Sequence, residues 1–118
     1  TSPVKHFMRT ATCDSELGGK TIKKGQDVRL AYWSANRDEA GFDDPVTCDV
    51  GRKTNRHVAF GFGTHFCLGS NLAKMELTNL FTTLVPRLRS VEPAGEAELS
   101  RSTFVSGYKH LPIRYELR

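Results

Sequence analysis

Ten consecutive residues limit this chain more than any other stretch: Phe60-Gly61-Phe62-Gly63-Thr64-His65-Phe66-Cys67-Leu68-Gly69. Its glycines permit backbone angles closed to other residues and let the backbone come close to a flat bound group. Beyond it, Leu68, Leu72, Met75, Leu77, Leu80, Phe81, Leu84 and Val85 recur at helical spacing as far as Pro86, which predicts one helix of about five turns. A helix start turns free N–H groups and the positive end of its dipole toward whatever precedes it. That favours an anion, and cysteine acts as a ligand or nucleophile only as the thiolate. Cys67 stands at that point. The ordinary role of a lone cysteine is that of a small buried hydrophobe; the glycine-rich loop argues for a ligand instead.

Of the cofactors that accept one cysteine thiolate, haem iron needs a wall of small residues, a proximal cysteine and nothing else from the local chain. The decapeptide resembles the haem-binding signature of the cytochrome P450 family, Phe-x-x-Gly-x-(His or Arg)-x-Cys-x-Gly, at Phe60, Gly63, His65, Cys67 and Gly69. At ~5 % average usage per residue type, five such positions recur by chance roughly once in a million starts. The likeness continues through Ala35-Asn36-Arg37-Asp38-Glu39, Phe42-x-Asp44-Pro45, Asp49-x-x-Arg52, Leu72-Ala73-Lys74-Met75-Glu76-Leu77 and Phe104-Val105-Ser106-Gly107, so it covers essentially the whole chain.

The resemblance implies roles for particular residues. Cys67 is the proximal ligand of haem b, whose sulfur donates electron density to the iron and favours O–O cleavage. Phe60 packs beside the sulfur, and Gly61, Gly63 and Gly69 admit the porphyrin. His65 donates to one haem propionate and Arg9 to the other, since an imidazole N–H and a guanidinium fork both suit a carboxylate. For His65 the bland alternative is a hydrogen bond to the loop backbone, and for Arg9 an exposed strand position. Arg52 resembles the arginine that locks onto the family's Glu-x-x-Arg pair, a pair expected just before Thr1. Cys48 departs from the family, which usually has phenylalanine there. Val4, Phe104 and Val105 border the substrate cavity by likeness, although apolar residues would equally fill a strand core. Lys53, Arg56 and Lys74 offer a basic surface to an acidic ferredoxin or flavodoxin; the commoner fate of such residues is a solvated face.

The 118 residues could bury about 65 % of their unfolded surface as a single domain. By resemblance they are the carboxy-terminal part, residues 1–118, of one longer P450 domain whose distal haem helix and Glu-x-x-Arg helix lie upstream. No run of about eighteen apolar residues and no leader pattern is present. The odd set of Cys13, Cys48 and Cys67 argues against a disulfide framework and for a reducing compartment, so the expected location is the cytoplasm. Net charge is +4 with the charges interspersed, which falls short of the charged stripe with aromatics that nucleic-acid binding requires.

Local patterns predict strands at 7–12, 15–17, 27–32, 90–92, 103–105 and 113–117. Turns are expected at Gly18-Gly19, at Lys23-Lys24-Gly25 and at Ser106-Gly107, and a short helix capped by Ser34 through Glu39. From Ala40 to Thr64 periodicity vanishes, as in a long irregular loop kept for a site. The chain therefore reads as α+β: short β-hairpins, a long irregular haem loop and one long helix, within a mainly α cytochrome P450 fold. The expected parent is a haem-thiolate monooxygenase that inserts one oxygen atom from O2 into an apolar small molecule, with a steroid or lipid as the family-level expectation. The isolated chain is expected to be inactive. Two rivals are a haem-free truncated remnant serving as a structural or interaction domain, and a thiolate-ligated haem sensor without turnover.

Overall fold

The computed structural model describes residues 2–118, and they separate into two compact units. The first comprises residues 2–59 with Thr103–Val105. Strand β1 (Phe7–Thr10) and a later strand pair antiparallel with Phe7 opposite Leu30 and Thr10 opposite Asp27. Between them lies the hairpin of β2 (Ser15–Leu17) and β3 (Lys20–Ile22). Its turn residues Gly18 and Gly19 have φ of +58° and +73°, the pair of left-handed conformations that matches the right-handed twist of the flanking strands. A second turn follows, closed by the Gln26 N–H on the Lys23 carbonyl at 3.0 Å, with Gly25 at φ +86°. Strand β4 (Asp27–Leu30) leads into helix α1 (Tyr32–Ala35).

Both outer strands are shorter than their composition predicts. β1 stops at Thr10 because Ala11 already serves the turn, donating to Gln26 and accepting from Gly25. β4 stops at Leu30, and Tyr32, expected on the strand, opens α1. Ser34 is not the helix cap. Ala31 holds that position without a side-chain bond; instead the Trp33 N–H, one of the donors a helix start leaves unpaired, finds the Lys5 carbonyl at 3.3 Å. The helix ends at Ala35 rather than Glu39, and Asp38 turns the chain by accepting the Ala40 N–H at 2.9 Å. Residues 40–62 contain no helix or strand.

The second unit comprises Phe60–Ser102 and Ser106–Arg118. A 3-10 turn (Gly63–His65) precedes α2 (Ser70–Leu84), which is shorter than the stretch to Pro86 that the apolar spacing predicts. Val85–Arg87 tightens into another 3-10 turn, because Pro86 has no N–H to continue the α ladder. β5 (Leu88–Pro93) pairs antiparallel with the last strand, β8 (Ile113–Leu117), with an irregularity between Leu88 and Ser90. β6 (Glu98–Leu99) pairs with β7 (Tyr108–His110). The strand expected at 103–105 is absent: Val105 makes only a single bridge, to Val4 in the first unit's own sheet region. The pattern there is too short to separate a ladder from one bridge.

The modest core that a chain of this length could build does not form among the described residues. Tyr32, 9 % exposed, is the one buried apolar side chain among the described residues, while Leu72, Met75, Leu77, Leu80, Phe81 and Leu84 all stand exposed along α2. Two-stranded sheets have too little apolar face to build a core unaided, and every sheet here is two-stranded.

Candidate functional site

The loop before α2 is closed by its own backbone. The Cys67 N–H donates to the Phe60 carbonyl at 2.9 Å, and the Phe66 N–H to the Gly63 carbonyl at 2.9 Å. Gly61 and Gly63 both have φ of +76°, the region that disfavours any residue with a Cβ. The extended residue between them, Phe62 at φ −151°, is thereby turned outward and is 87 % exposed. Phe60 and Phe66 meet edge to face with ring centres 6.4 Å apart, and the Lys74 Nζ lies 5.7 Å from the Phe60 ring centre. Lys74, expected on a partner surface, thus also sits against an aromatic of the loop.

Cys67 is a free, exposed thiol, as are Cys13 and Cys48. The cysteine carbonyl accepts the Ser70 N–H at 3.2 Å and thus joins the loop to the first turn of α2. The neighbouring stretch of chain leaves Phe62, Phe66 and Leu68 exposed. Gly69 is informative because nothing inside the chain requires a glycine there. Its φ is −81°, and a Cβ built on it would meet only the Cys67 Sγ, at 4.0 Å, an ordinary contact. An exposed sulfur, exposed apolar residues adjacent in sequence and a glycine without an internal reason fit a flat, apolar group held by one thiolate. No cluster of three or more ligating side chains gathers among the described residues, so Cys67 would be the chain's only contribution to such a metal. His65, at the end of the 3-10 turn, is exposed and makes no hydrogen bond to another described residue. The backbone-bonded alternative for it is thus not what the structure contains.

The first unit brings together the three residues expected at a substrate wall. Val4 and Val105 form a β-bridge, and the Lys5 N–H donates to the Phe104 carbonyl at 2.8 Å. Phe104 packs edge to face on Phe7 and on His6, with ring centres 5.4 Å and 6.0 Å apart. Arg9 lies on β1 opposite Val28, exposed, with Nη1 on the Met8 carbonyl at 2.8 Å. Lys53 and Arg56 are exposed on the irregular segment and form no ion pair among the described residues.

Two features of this unit escaped sequence reasoning. The Arg52 guanidinium, expected to await an external pair, bonds the carbonyls of Asp43, Asp44 and Thr47 and so holds the loop's own bends; only the abundance of turn residues around it hinted at that. Asn36 ties two distant segments through its side-chain amide. It was visible in the sequence only as one letter of a family-like stretch.

The family model described as Cytochrome P450 matches residues 1–116 of the chain. Cytochrome P450-terp of a Pseudomonas species is 50 % identical over 115 residues, which are 98 % of this chain and 27 % of that protein. A steroid C26-monooxygenase of Rhodococcus jostii is 43 % identical, with 98 % of this chain and 25 % of its own length covered. Linalool 8-monooxygenase of Pseudomonas putida is 45 % identical, with 95 % and 28 % covered. Among solved structures, CYP108D1 of Novosphingobium aromaticivorans superposes with a TM-score of 0.92 at 47 % identity, covering 98 % of this chain and 28 % of that one. P450 OxyD, involved in the biosynthesis of vancomycin-type antibiotics, gives 0.94 at 42 % identity, covering 100 % and 30 %. The chain thus spans about a quarter of the length of the curated relatives it matches.

Proposed function

Since the chain belongs to the cytochrome P450 family, we propose that it is the haem-ligating, carboxy-terminal part of a bacterial-type P450 monooxygenase. The parent enzyme would insert one atom of O2 into an apolar organic substrate, using electrons delivered by a redox protein. The observation that carries this reading is the exposed Cys67 thiol at the mouth of a loop closed on Phe60 and followed by Gly69.

Each part of the chain then has a task. Cys67 supplies the sulfur ligand, held in place by the hydrogen bonds on both of its backbone groups. When bound, the haem supplies an iron centre able to take up electrons and activate O2, with the thiolate favouring O–O cleavage. His65 and Arg9 would hold the haem through its propionates, by charge-assisted hydrogen bonds. Gly69 leaves room beside the sulfur. Val4, Phe104 and Val105 contribute apolar wall to the substrate cavity. The relatives named for linalool and for steroids support an apolar substrate class. Lys53, Arg56 and Lys74 steer an acidic ferredoxin or flavodoxin. No helix among the described residues is long and apolar enough to cross a membrane.

The test is spectroscopic. Reduced full-length protein under carbon monoxide should show the red-shifted Soret band of thiolate-ligated haem, and Cys67→Ser should lose it. Persistence of that band in the serine variant would overturn the assignment. Absence of bound haem in the wild type would favour a structural remnant instead, and a normal band without turnover of any apolar substrate would favour a sensor.

A further inference from the structure

Ser2 is 1 % exposed, the most deeply buried side chain described, and it is polar. A buried hydroxyl is costly unless it is hydrogen-bonded. Its partner is Asn36, whose Nδ2 donates to the Ser2 Oγ at 2.5 Å. The other end of the same amide is also engaged: Oδ1 accepts the Val58 N–H at 2.8 Å. A backbone N–H can only donate, so Oδ1 must face Val58 and Nδ2 must face the hydroxyl. The amide is therefore locked in one orientation by two segments that lie 34 and 22 residues away in sequence. Asn36 is itself fixed, because it ends α1 with its own N–H on the Tyr32 carbonyl at 3.0 Å. Tyr32 is the one buried apolar side chain described, so the clamp is anchored where the first unit is best packed.

The two clamped segments are the ones that the proposed function uses. Ser2 begins the segment carrying Val4, which bridges Val105. Val58 lies two residues before Phe60, whose carbonyl closes the Cys67 loop. We propose that Asn36 is a positioning residue for the reaction: its amide fixes at once the segment bearing the substrate wall and the backbone that leads into the thiolate loop. This rests on the haem-thiolate reading above. Its two halves have separate consequences. Loss of the Val58 bond frees the approach to the cysteine loop, and loss of the Ser2 bond leaves that approach intact and disturbs only the Val4 segment.

Three variants of the full-length protein separate these effects. Asn36→Ala removes both bonds. Asn36→Asp keeps both, since a carboxylate accepts from Val58 and the Ser2 hydroxyl can rotate to donate. Ser2→Ala removes one. Amide hydrogen exchange at Val58 should quicken at least tenfold in Asn36→Ala and stay near wild type in Asn36→Asp and Ser2→Ala. The ferrous carbonyl thiolate band should be lost several-fold faster on standing in Asn36→Ala alone. Ser2→Ala should weaken binding of a test terpene, read from the spin-state change, several-fold with that band unaltered. Unchanged Val58 exchange in Asn36→Ala, or equal losses of band and terpene binding in Asn36→Ala and Ser2→Ala, would overturn the proposal. Should Asn36→Ala fail to fold, unaltered terpene binding in Ser2→Ala overturns it. A wild type with no thiolate band would refute the haem reading instead, while exchange at Val58 would still report on the clamp.

Discussion

The N–H of Cys67 rests on the carbonyl of Phe60 at 2.9 Å, and the Cys67 carbonyl in turn accepts the Ser70 N–H at 3.2 Å. Both backbone groups of the cysteine are thereby occupied, and the sulfur is the only part of the residue left for an outside partner. The same two bonds fix the cysteine backbone with respect to the start of α2 without side-chain support.

Gly63→Ala and Gly69→Ala should therefore fail in different ways. At Gly63 a Cβ has nothing within 4 Å but the φ of +76° is unfavourable, at a cost of about 1–2 kcal/mol. Denaturant unfolding of the apoprotein should register that loss. At Gly69 neither angle nor contact penalises alanine, so apoprotein stability should stay within about 0.5 kcal/mol, while haem transfer to a scavenger protein should be roughly tenfold faster. Equal transfer rates for Gly69→Ala and wild type would mean that no flat group lies over this glycine.

His65 is exposed with no hydrogen bond to another described residue, which leaves it available to a propionate. His65→Arg should retain haem as wild type does, since both side chains donate to a carboxylate. His65→Ala should release haem several-fold faster at unchanged apoprotein stability. Identical release from all three proteins would remove His65 from the site.

The apolar face of α2, with Leu77, Leu80, Phe81 and Leu84 at helical spacing, is exposed. Contiguous apolar surface of this kind promotes association. Residues 1–118 alone should aggregate and should fail to bind haem one to one. A monomeric species in light scattering together with a tight stoichiometric haem titration would contradict this.

Replacing Lys53, Arg56 and Lys74 with glutamate should slow reduction by an acidic ferredoxin and leave substrate affinity unchanged. Steering by exposed charge is screened within about 8 Å at physiological ionic strength, so added salt should shrink the difference. Stopped-flow reduction at low and high salt measures this. Equal rates at low salt would assign these residues to a plain solvated surface.

Asp14 titrates below its ordinary value of 3.8, chiefly through the hydrogen bond from the Lys23 ammonium at 2.8 Å and then through the Lys24 N–H at 2.9 Å. A carboxyl with a lowered folded-state pKa contributes stability above its unfolded value and loses it as pH falls through the folded value. Asp14→Asn should therefore be slightly less stable than wild type near pH 6, and the gap should close toward pH 3. Because the pair is exposed, the effect should be small and salt-sensitive. Thermal unfolding of both proteins across that pH range decides it, and a gap that widens in acid would show the ion pair to be irrelevant.

Local chemistry was legible in the chain itself. Gly18-Gly19 made a hairpin because two left-handed residues are what that turn requires, and Ile113–Leu117 reads as a strand in both sequence and structure. The cysteine loop was legible for the same reason: its glycines and its cysteine act within ten residues, and the family it marks is the family to which the chain belongs. Where an element ends, however, depended on partners far along the chain. Tyr32 left its strand for α1 because the Lys5 carbonyl was there to take the Trp33 N–H, and Val105 forms an isolated bridge with Val4, about a hundred residues away. Asn36 became a clamp for the same physical reason: an amide has two ends, and which donors and acceptors reach them is decided by folding the chain, not by any spacing within it.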